Sequence, residues 1–143
     1  MGTRWLLVVV FVLVACTSPE ERERDALMDR IETKVKLPDG AWPLPEYARH
    51  YALDDKGIVV GVYAPGYQPP SHDATCEEFL EDLTTREVPC PEPESDRLLA
   101  GQRRWVGNTD ELPVNMDGGC AIVTVFYDPK ADAVTSATCN GRA

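Results

Sequence analysis

The segment CAIVTVFYDPKADAVTSATCNG, residues 120–141, decides the fold, because two runs rich in β-branched and aromatic residues flank a short polar turn. This pattern predicts an antiparallel β-hairpin. If DPKA forms a four-residue loop, Tyr127 lies opposite Asp132, and the same register brings Cys120 opposite Cys139. Cα atoms at a non-hydrogen-bonded pair are about 4.5 Å apart, a distance that a disulfide accepts. Of the three possible pairings of four cysteines, we therefore favour the one that joins Cys120 to Cys139.

The other two cysteines of this set, Cys76 and Cys90, bracket a short acidic segment. A bond between them closes a loop of 15 residues and contributes on the order of 3 kcal/mol to stability. An even number of cysteines in an exported chain indicates disulfides. The fifth cysteine, Cys16, is the odd one out.

A helix is predicted upstream, in SPEERERDALMDRIETKVK. Ser18 is a natural N-cap, Pro19 suits the first helical position, and Glu21 completes a capping box. Apolar residues at four-residue spacing form one narrow stripe, which binds a partner or packs on the protein's own sheet; we expect the latter. The stripe consists of Leu27, Ile31 and Val35, with Met28 beside them.

Further strands are predicted on both sides of a central Pro-rich segment. Residues 49–53 and 58–64 flank a turn that ends in a left-handed Gly57, and residues 101–107 resume strand character. One helical turn is expected after Thr109. The predicted fold class is α+β, an N-terminal amphipathic helix followed by an antiparallel meander of about five strands, stapled by two disulfides.

The Pro-rich segment, residues 65–100, holds six of the 12 prolines. Such an irregular segment needs a staple or a function. We predict a stapled surface excursion in which residues 76–83 form a short helix.

Ahead of the helix, Arg4 precedes an apolar run of about 11 residues, whereas crossing a bilayer takes roughly 20. This arrangement is typical of a secretory signal. The tetrapeptide Leu13-Val14-Ala15-Cys16 that follows closely resembles the lipobox of bacterial lipoproteins.

The resemblance implies a lipoprotein signal peptide at residues 1–15 and a lipidated N-terminus and tether at residues 16–18. The length and the predicted elements of the remaining residues, 19–143, indicate a single α+β domain. Cys16 would carry the lipid, palmitate included, and anchor the protein to the membrane. Thr17 in place of an Asp implies an outer-membrane anchor in the cell envelope, facing the periplasm. The alternative is an ordinary secreted protein. Small proteobacterial lipoproteins without an assigned activity look similar around residues 31–63, 118–120 and 139–141.

The amino-acid composition limits the classes of partner that the protein is expected to bind. Removing residues 1–15 leaves 128 residues with a net charge of −11, because that segment holds one basic and no acidic residue. This excess argues against binding to nucleic acid, which needs clustered Lys and Arg.

A search for chemistry finds no nucleophile elbow, P-loop, dinucleotide fingerprint or zinc-protease motif. His72, Asp73 and Cys76 lie close in sequence, yet a disulfide explains Cys76 better than a metal does. The acidic cluster Glu77, Glu78, Glu81 and Asp82 is expected to be a solvated helix face. We predict no catalytic residue, no metal, no cofactor and no enzymatic activity.

The segment QRRWV contains the predicted partner contact, formed by Arg103, Arg104 and Trp105. Its alternative is a core Trp105 beside an arginine that pairs with nearby acids. The predicted function is a lipid-anchored envelope protein that acts as a non-enzymatic binding or structural module, in contact with the membrane and with another envelope protein. The alternatives are an inhibitor or binder of an exported hydrolase, with the stapled loop as its inserting element, and a small envelope hydrolase.

Overall fold

The computed structural model describes residues 18–71, 74–90, 97–114 and 118–141. These residues form an α+β fold with one α-helix, two short 3-10 helices and seven strands. The elements, in chain order, are α1 (Pro19–Lys34), a 3-10 turn (Leu44–Glu46), β1 (Tyr47–Leu53), β2 (Val59–Pro65), β3 (Thr75–Phe79), β4 (Thr85–Pro89), β5 (Arg103–Trp105), a second 3-10 turn (Thr109–Glu111), β6 (Gly119–Asp128) and β7 (Ala133–Asn140).

Helix α1 begins at the predicted capping box. The Ser18 hydroxyl accepts a hydrogen bond from the Glu21 amide at 3.1 Å, and the Glu21 carboxylate accepts one from the Ser18 amide at 2.7 Å. The interaction of the Glu21 carboxylate with the backbone amide of Ser18, and with the Ser18 side chain, lowers the pKa of Glu21. Met28 and Ile31 are buried, and Leu27 and Val35 pack against the same core. The predicted apolar stripe therefore faces the protein's own sheet.

The main sheet has five strands in the order β5-β1-β2-β6-β7. The β1–β2, β2–β6 and β6–β7 pairs are antiparallel, but β5 runs parallel to β1. The predicted antiparallel meander is therefore wrong. After β2 the chain leaves the sheet and returns at the same end of it, on the outer edge of β1. Strand β5 therefore runs opposite to β2 and parallel to β1, which lies between them.

The hairpin of β6 and β7 and the bond between Cys120 and Cys139 agree with the prediction. The two Cα atoms are 4.5 Å apart, which is the predicted distance. The predicted register is wrong: Tyr127 pairs with Val134 instead of Asp132, and Cys139 pairs in the ladder with Val123 instead of Cys120.

Two shifts in the β6–β7 pairing allow the disulfide to form despite this register. The ladder shifts between Phe126 and Tyr127, and again between Gly119 and Val123. At the turn, the Asp128 carboxylate accepts hydrogen bonds from the amides of residues 130 and 131. The loop therefore consists of residues 129–132 and not 128–131.

Residues 76–83 do not form the predicted helix. Strand β3 pairs with β4 in a separate two-stranded sheet, and Cys76 is bonded to Cys90 as predicted. An eight-residue helix would be marginal in water, and acids four residues apart, such as Glu77 and Glu81, would repel each other on its surface.

The five-stranded sheet has two differently covered faces. Under α1 lies a core of fully buried tyrosines and valines, namely Tyr47, Tyr51, Val59, Tyr63, Val123, Val125 and Tyr127. The opposite face carries a smaller cluster of Ala52, Val62, Ala64, Leu112 and Ile122. We call this second side the open face, because α1 does not cover it.

Candidate binding surface

Residues 75–90 form the stapled hairpin, which comprises β3, β4, their connecting turn and the disulfide at their base. The excursion that carries it is closed where it leaves the sheet. The Tyr67 amide donates to the Leu98 carbonyl at 2.8 Å. Gly66 packs so closely on Ala100 that a Cβ atom at position 66 would lie 2.0 Å from the Ala100 nitrogen. The excursion thus departs and returns at a single point of the sheet.

The disulfide compensates for the missing core of the hairpin. An isolated two-stranded ribbon is at best marginally stable in water. Cys76 and Cys90, with Cα atoms 4.8 Å apart, join the two strands at the end away from the turn. This loop closure contributes about 3 kcal/mol, which helps to keep the ribbon ordered.

Large apolar side chains project into solvent at the tip of the stapled hairpin. Leu83 is 88% exposed and Phe79 is 77% exposed, and Leu80 between them is also exposed. Single exposed apolar residues are ordinary on protein surfaces, whereas a cluster of them is a candidate for an interaction site. Here all three lie within five residues of sequence, in an otherwise acidic segment.

The tip is held by its own hydrogen bonds. The Leu80 amide donates to the Thr84 carbonyl at 2.9 Å, and the Leu83 amide donates to the Leu80 carbonyl at 3.0 Å. The Asp82 carboxylate accepts hydrogen bonds from the hydroxyl and the amide of Thr84, and these bonds lower the pKa of Asp82. The apolar side chains are therefore presented on a preformed turn.

The predicted partner contact lies on the short edge strand β5, next to α1. Arg103 Nη1 is 2.7 Å from Asp29 Oδ1 and 3.5 Å from Glu32 Oε2. The guanidinium of Arg24 lies 5.8 Å from the centre of the Trp105 ring. Arg103 and Trp105 thus have intramolecular partners, and their contact with another protein stays a prediction.

Arg104 also lines a groove of about 580 Å³ on the open face. Its floor carries His50, whose pKa is lowered by burial and by the positive charge of Arg104. Other lining residues include Tyr67, Arg97 and Glu111. Both arginines already interact with other groups of the protein, so they do not by themselves indicate a ligand.

A buried polar network connects α1 to the sheet. Glu32 Oε1 lies 2.9 Å from the Tyr51 hydroxyl and 3.0 Å from Arg49 Nε. Arg49 also donates to the Leu44 and Gly101 carbonyls, at 3.0 and 2.8 Å. Because Tyr51 and Arg49 are buried, this network fits a structural role: it fixes the helix and two loops on the sheet.

The remaining predicted residues bear on lipid and metal sites. Cys16, with the whole lipobox, and His72 and Asp73 lie outside the described residues. The acidic cluster Glu77, Glu78, Glu81 and Asp82 is on the stapled hairpin and not on a helix. Within the ranges that the structure covers, no three His, Cys, Asp or Glu side chains are placed to hold a metal ion.

Comparison with known proteins adds no family: no protein-family model, no curated protein and no solved structure matches this chain. Among the helices of the described residues, none combines the length and apolarity that crossing a bilayer requires.

Sequence reasoning did not single out Phe79 and Leu83 as candidate binding residues. It assigned their segment to a helix, where apolar residues between acids are expected to face the protein's own core. The available signal was the conjunction of FLEDL with two flanking cysteines. A chain stapled so tightly has few of its own residues within reach to cover an apolar tip.

Proposed function

We propose that this chain is a lipid-anchored protein of the bacterial cell envelope whose domain binds another protein and catalyses no reaction. The cysteines support the proposed location in the cell envelope. Cys76, Cys90, Cys120 and Cys139 are paired in two disulfides, which persist in oxidising surroundings. The fifth cysteine, Cys16, is the last residue of the tetrapeptide that resembles the lipobox.

The observation that carries the binding role is the exposed apolar tip of the stapled hairpin. Phe79 and Leu83 are more exposed than any other large apolar side chain of the described residues except Val114. An exposed apolar cluster on a rigid, protruding turn is suited to insertion into a pocket of a partner. The same observation favours the second candidate, an inhibitor of an exported hydrolase, in which that pocket is the active-site cleft.

The lipid anchor is tested by intact-mass analysis of the natural product. We expect cleavage before Cys16 and the added mass of the acyl chains, and we expect Cys16→Ser to release the protein from the membrane fraction. An unmodified Cys16 thiol, or residues 1–15 still attached, would disprove the anchor and leave the binding role untouched.

The binding role is tested by a photo-crosslinking amino acid at position 83 in the native envelope. We expect one dominant protein adduct, which the substitution Phe79→Ser abolishes. Position 114 supplies the matched control, because Val114 is 84% exposed but lies outside the hairpin. Equal adducts from both positions, or no protein adduct at position 83, would contradict the proposal.

A further inference from the structure

The two faces of the stapled hairpin differ in charge. Residues that pair across antiparallel strands point to the same face. One face carries Cys76, Val88, Glu78 and Arg86, and the other carries Thr75, Pro89, Glu77, Glu87, Phe79 and Thr85. We call the second set the Phe79 face.

On the face opposite to Phe79, the charges neutralise each other. Arg86 Nε and Nη2 both lie 2.6 Å from Glu78 Oε2. The charges of Glu78 and Arg86 compensate each other, so this ion pair presents no net charge to a partner.

On the Phe79 face, two carboxylates lie directly across from each other. Glu77 pairs with Glu87 in the ladder, and both side chains are exposed. Like charges in facing positions destabilise a sheet. Neither carboxylate forms an ion pair or a side-chain hydrogen bond with any residue that the structure describes. A cation placed between them from outside would remove the repulsion.

The conformation and the exposure of Leu83 are also unfavourable in the unbound protein. Its φ is 65°, a left-handed conformation that costs a residue with a Cβ roughly 1–2 kcal/mol and that glycine adopts freely. Its side chain contributes little to the fold, since it is almost wholly exposed. A leucine that is both strained and solvated indicates a role in binding.

We infer that the Phe79 face docks on a partner protein with an apolar pocket that receives Phe79 and Leu83, beside a Lys or Arg that pairs with Glu77 and Glu87. The inference rests on the proposed binding role of the tip and names the chemistry of its partner.

Charge also favours a protein over a lipid surface as the partner. Residues 75–90 contain five acids and one arginine, a net charge of −4. Anionic lipid headgroups would repel this segment, whereas a basic rim around a pocket would attract it and accelerate association.

The test places the photo-crosslinking amino acid at position 85, which faces Phe79 across the ladder and leaves Phe79 and Leu83 unchanged. Adduct yield is measured in native envelopes at 50 and 500 mM NaCl. We expect high salt to reduce the yield about fivefold, and Glu77→Gln/Glu87→Gln to reduce it as much at low salt and to weaken the salt dependence. The charge-matched control is Glu23→Gln/Asp55→Asn, which alters two exposed acids outside the hairpin.

A second arm examines the apolar pocket. Leu83→Gly relaxes the backbone, so the hairpin should remain folded, with unchanged or slower amide exchange at Leu80, while adduct yield falls about tenfold. Mass spectrometry of the adduct should find Lys or Arg next to the crosslinked partner residue.

The outcomes separate the two proposals. A protein adduct whose yield is unchanged by salt, by Glu77→Gln/Glu87→Gln and by Leu83→Gly would overturn this inference and leave the proposed function standing. An adduct with lipid in place of protein would overturn the inference, and the absence of any adduct would overturn both.

Discussion

Tyr51 and Tyr63 illustrate what single residues contribute beneath the helix. Their hydroxyl groups are 3.1 Å apart, and their rings meet edge to face. Burial raises the pKa of Tyr63 to about 12. Burial, together with the neighbouring Tyr63 and Glu32, raises the pKa of Tyr51 far above its ordinary value. The folded protein therefore retains two phenolic protons that the unfolded chain releases near pH 10.

We predict that the free energy of unfolding falls as the pH rises above about 10, because only the unfolded state then loses these protons. The slope is at most about 1.4 kcal/mol per pH unit for each tyrosine. Urea denaturation of the lipid-free Cys16→Ser protein at pH 9 to 11.5 measures it. Tyr63→Phe removes one of the two groups and should make the slope shallower, whereas Tyr67→Phe, outside the core cluster, should not. Equal slopes in all three proteins would refute this account of the tyrosines.

At the scale of elements, the sequence predicted those features that depend on neighbouring residues. The capping box of α1 and the two long hairpins are visible because Ser18, Gly57 and the turn after Tyr127 act locally. The contact between β1 and β5 was not visible, because it joins strands separated by some 50 residues, and only three residues of β5 take part. A strand of three residues is too short to carry a sequence pattern that predicts a parallel partner strand.

The candidate binding surface was predicted only in part. The sequence indicated the disulfide that closes residues 76–90 but not the hairpin within it. Four acids in that segment suggested a helix, and the like-charge pair Glu77 and Glu87 makes a ladder look unfavourable. The staple overrides both preferences, because it holds the strands together at their open end.

We predict that Gly66→Ala loosens the base of the excursion. The new Cβ would meet the Ala100 backbone at 2.0 and 2.5 Å, so the two chains must separate at a cost of about 1–3 kcal/mol. Amide exchange at Tyr67, whose amide bonds Leu98, should accelerate. Gly57→Ala is the control: its φ of 81° also disfavours alanine, but nothing lies within 4 Å of the new atom. It should destabilise the sheet without affecting Tyr67, and identical exchange at Tyr67 in both variants would contradict the prediction.

At the scale of the whole molecule, the core that stabilises the fold is separate from the stapled hairpin that we propose as the binding element. The tyrosine-rich core, the buried Glu32–Arg49 pair and the Cys120–Cys139 bond hold the five-stranded sheet under α1. The stapled hairpin has its own disulfide and forms its own sheet. The tip can therefore change its side chains with little consequence for the rest of the fold.

The two disulfides have a further consequence for how the chain matures. Each cysteine of the set is bonded to the next one along the chain, at separations of 14 and 19 residues. Both alternative pairings need longer loops and cost more entropy. We predict that the reduced Cys16→Ser protein, refolded in a glutathione buffer, forms these two disulfides before any other. Peptide mapping of trapped refolding intermediates measures the order in which the disulfides form. Early intermediates with a Cys90–Cys120 bond would contradict the prediction. With Cys16 blocked by the proposed lipid, an oxidase that joins the other four thiols in their order of appearance would form both bonds, and no isomerase would be needed to correct them.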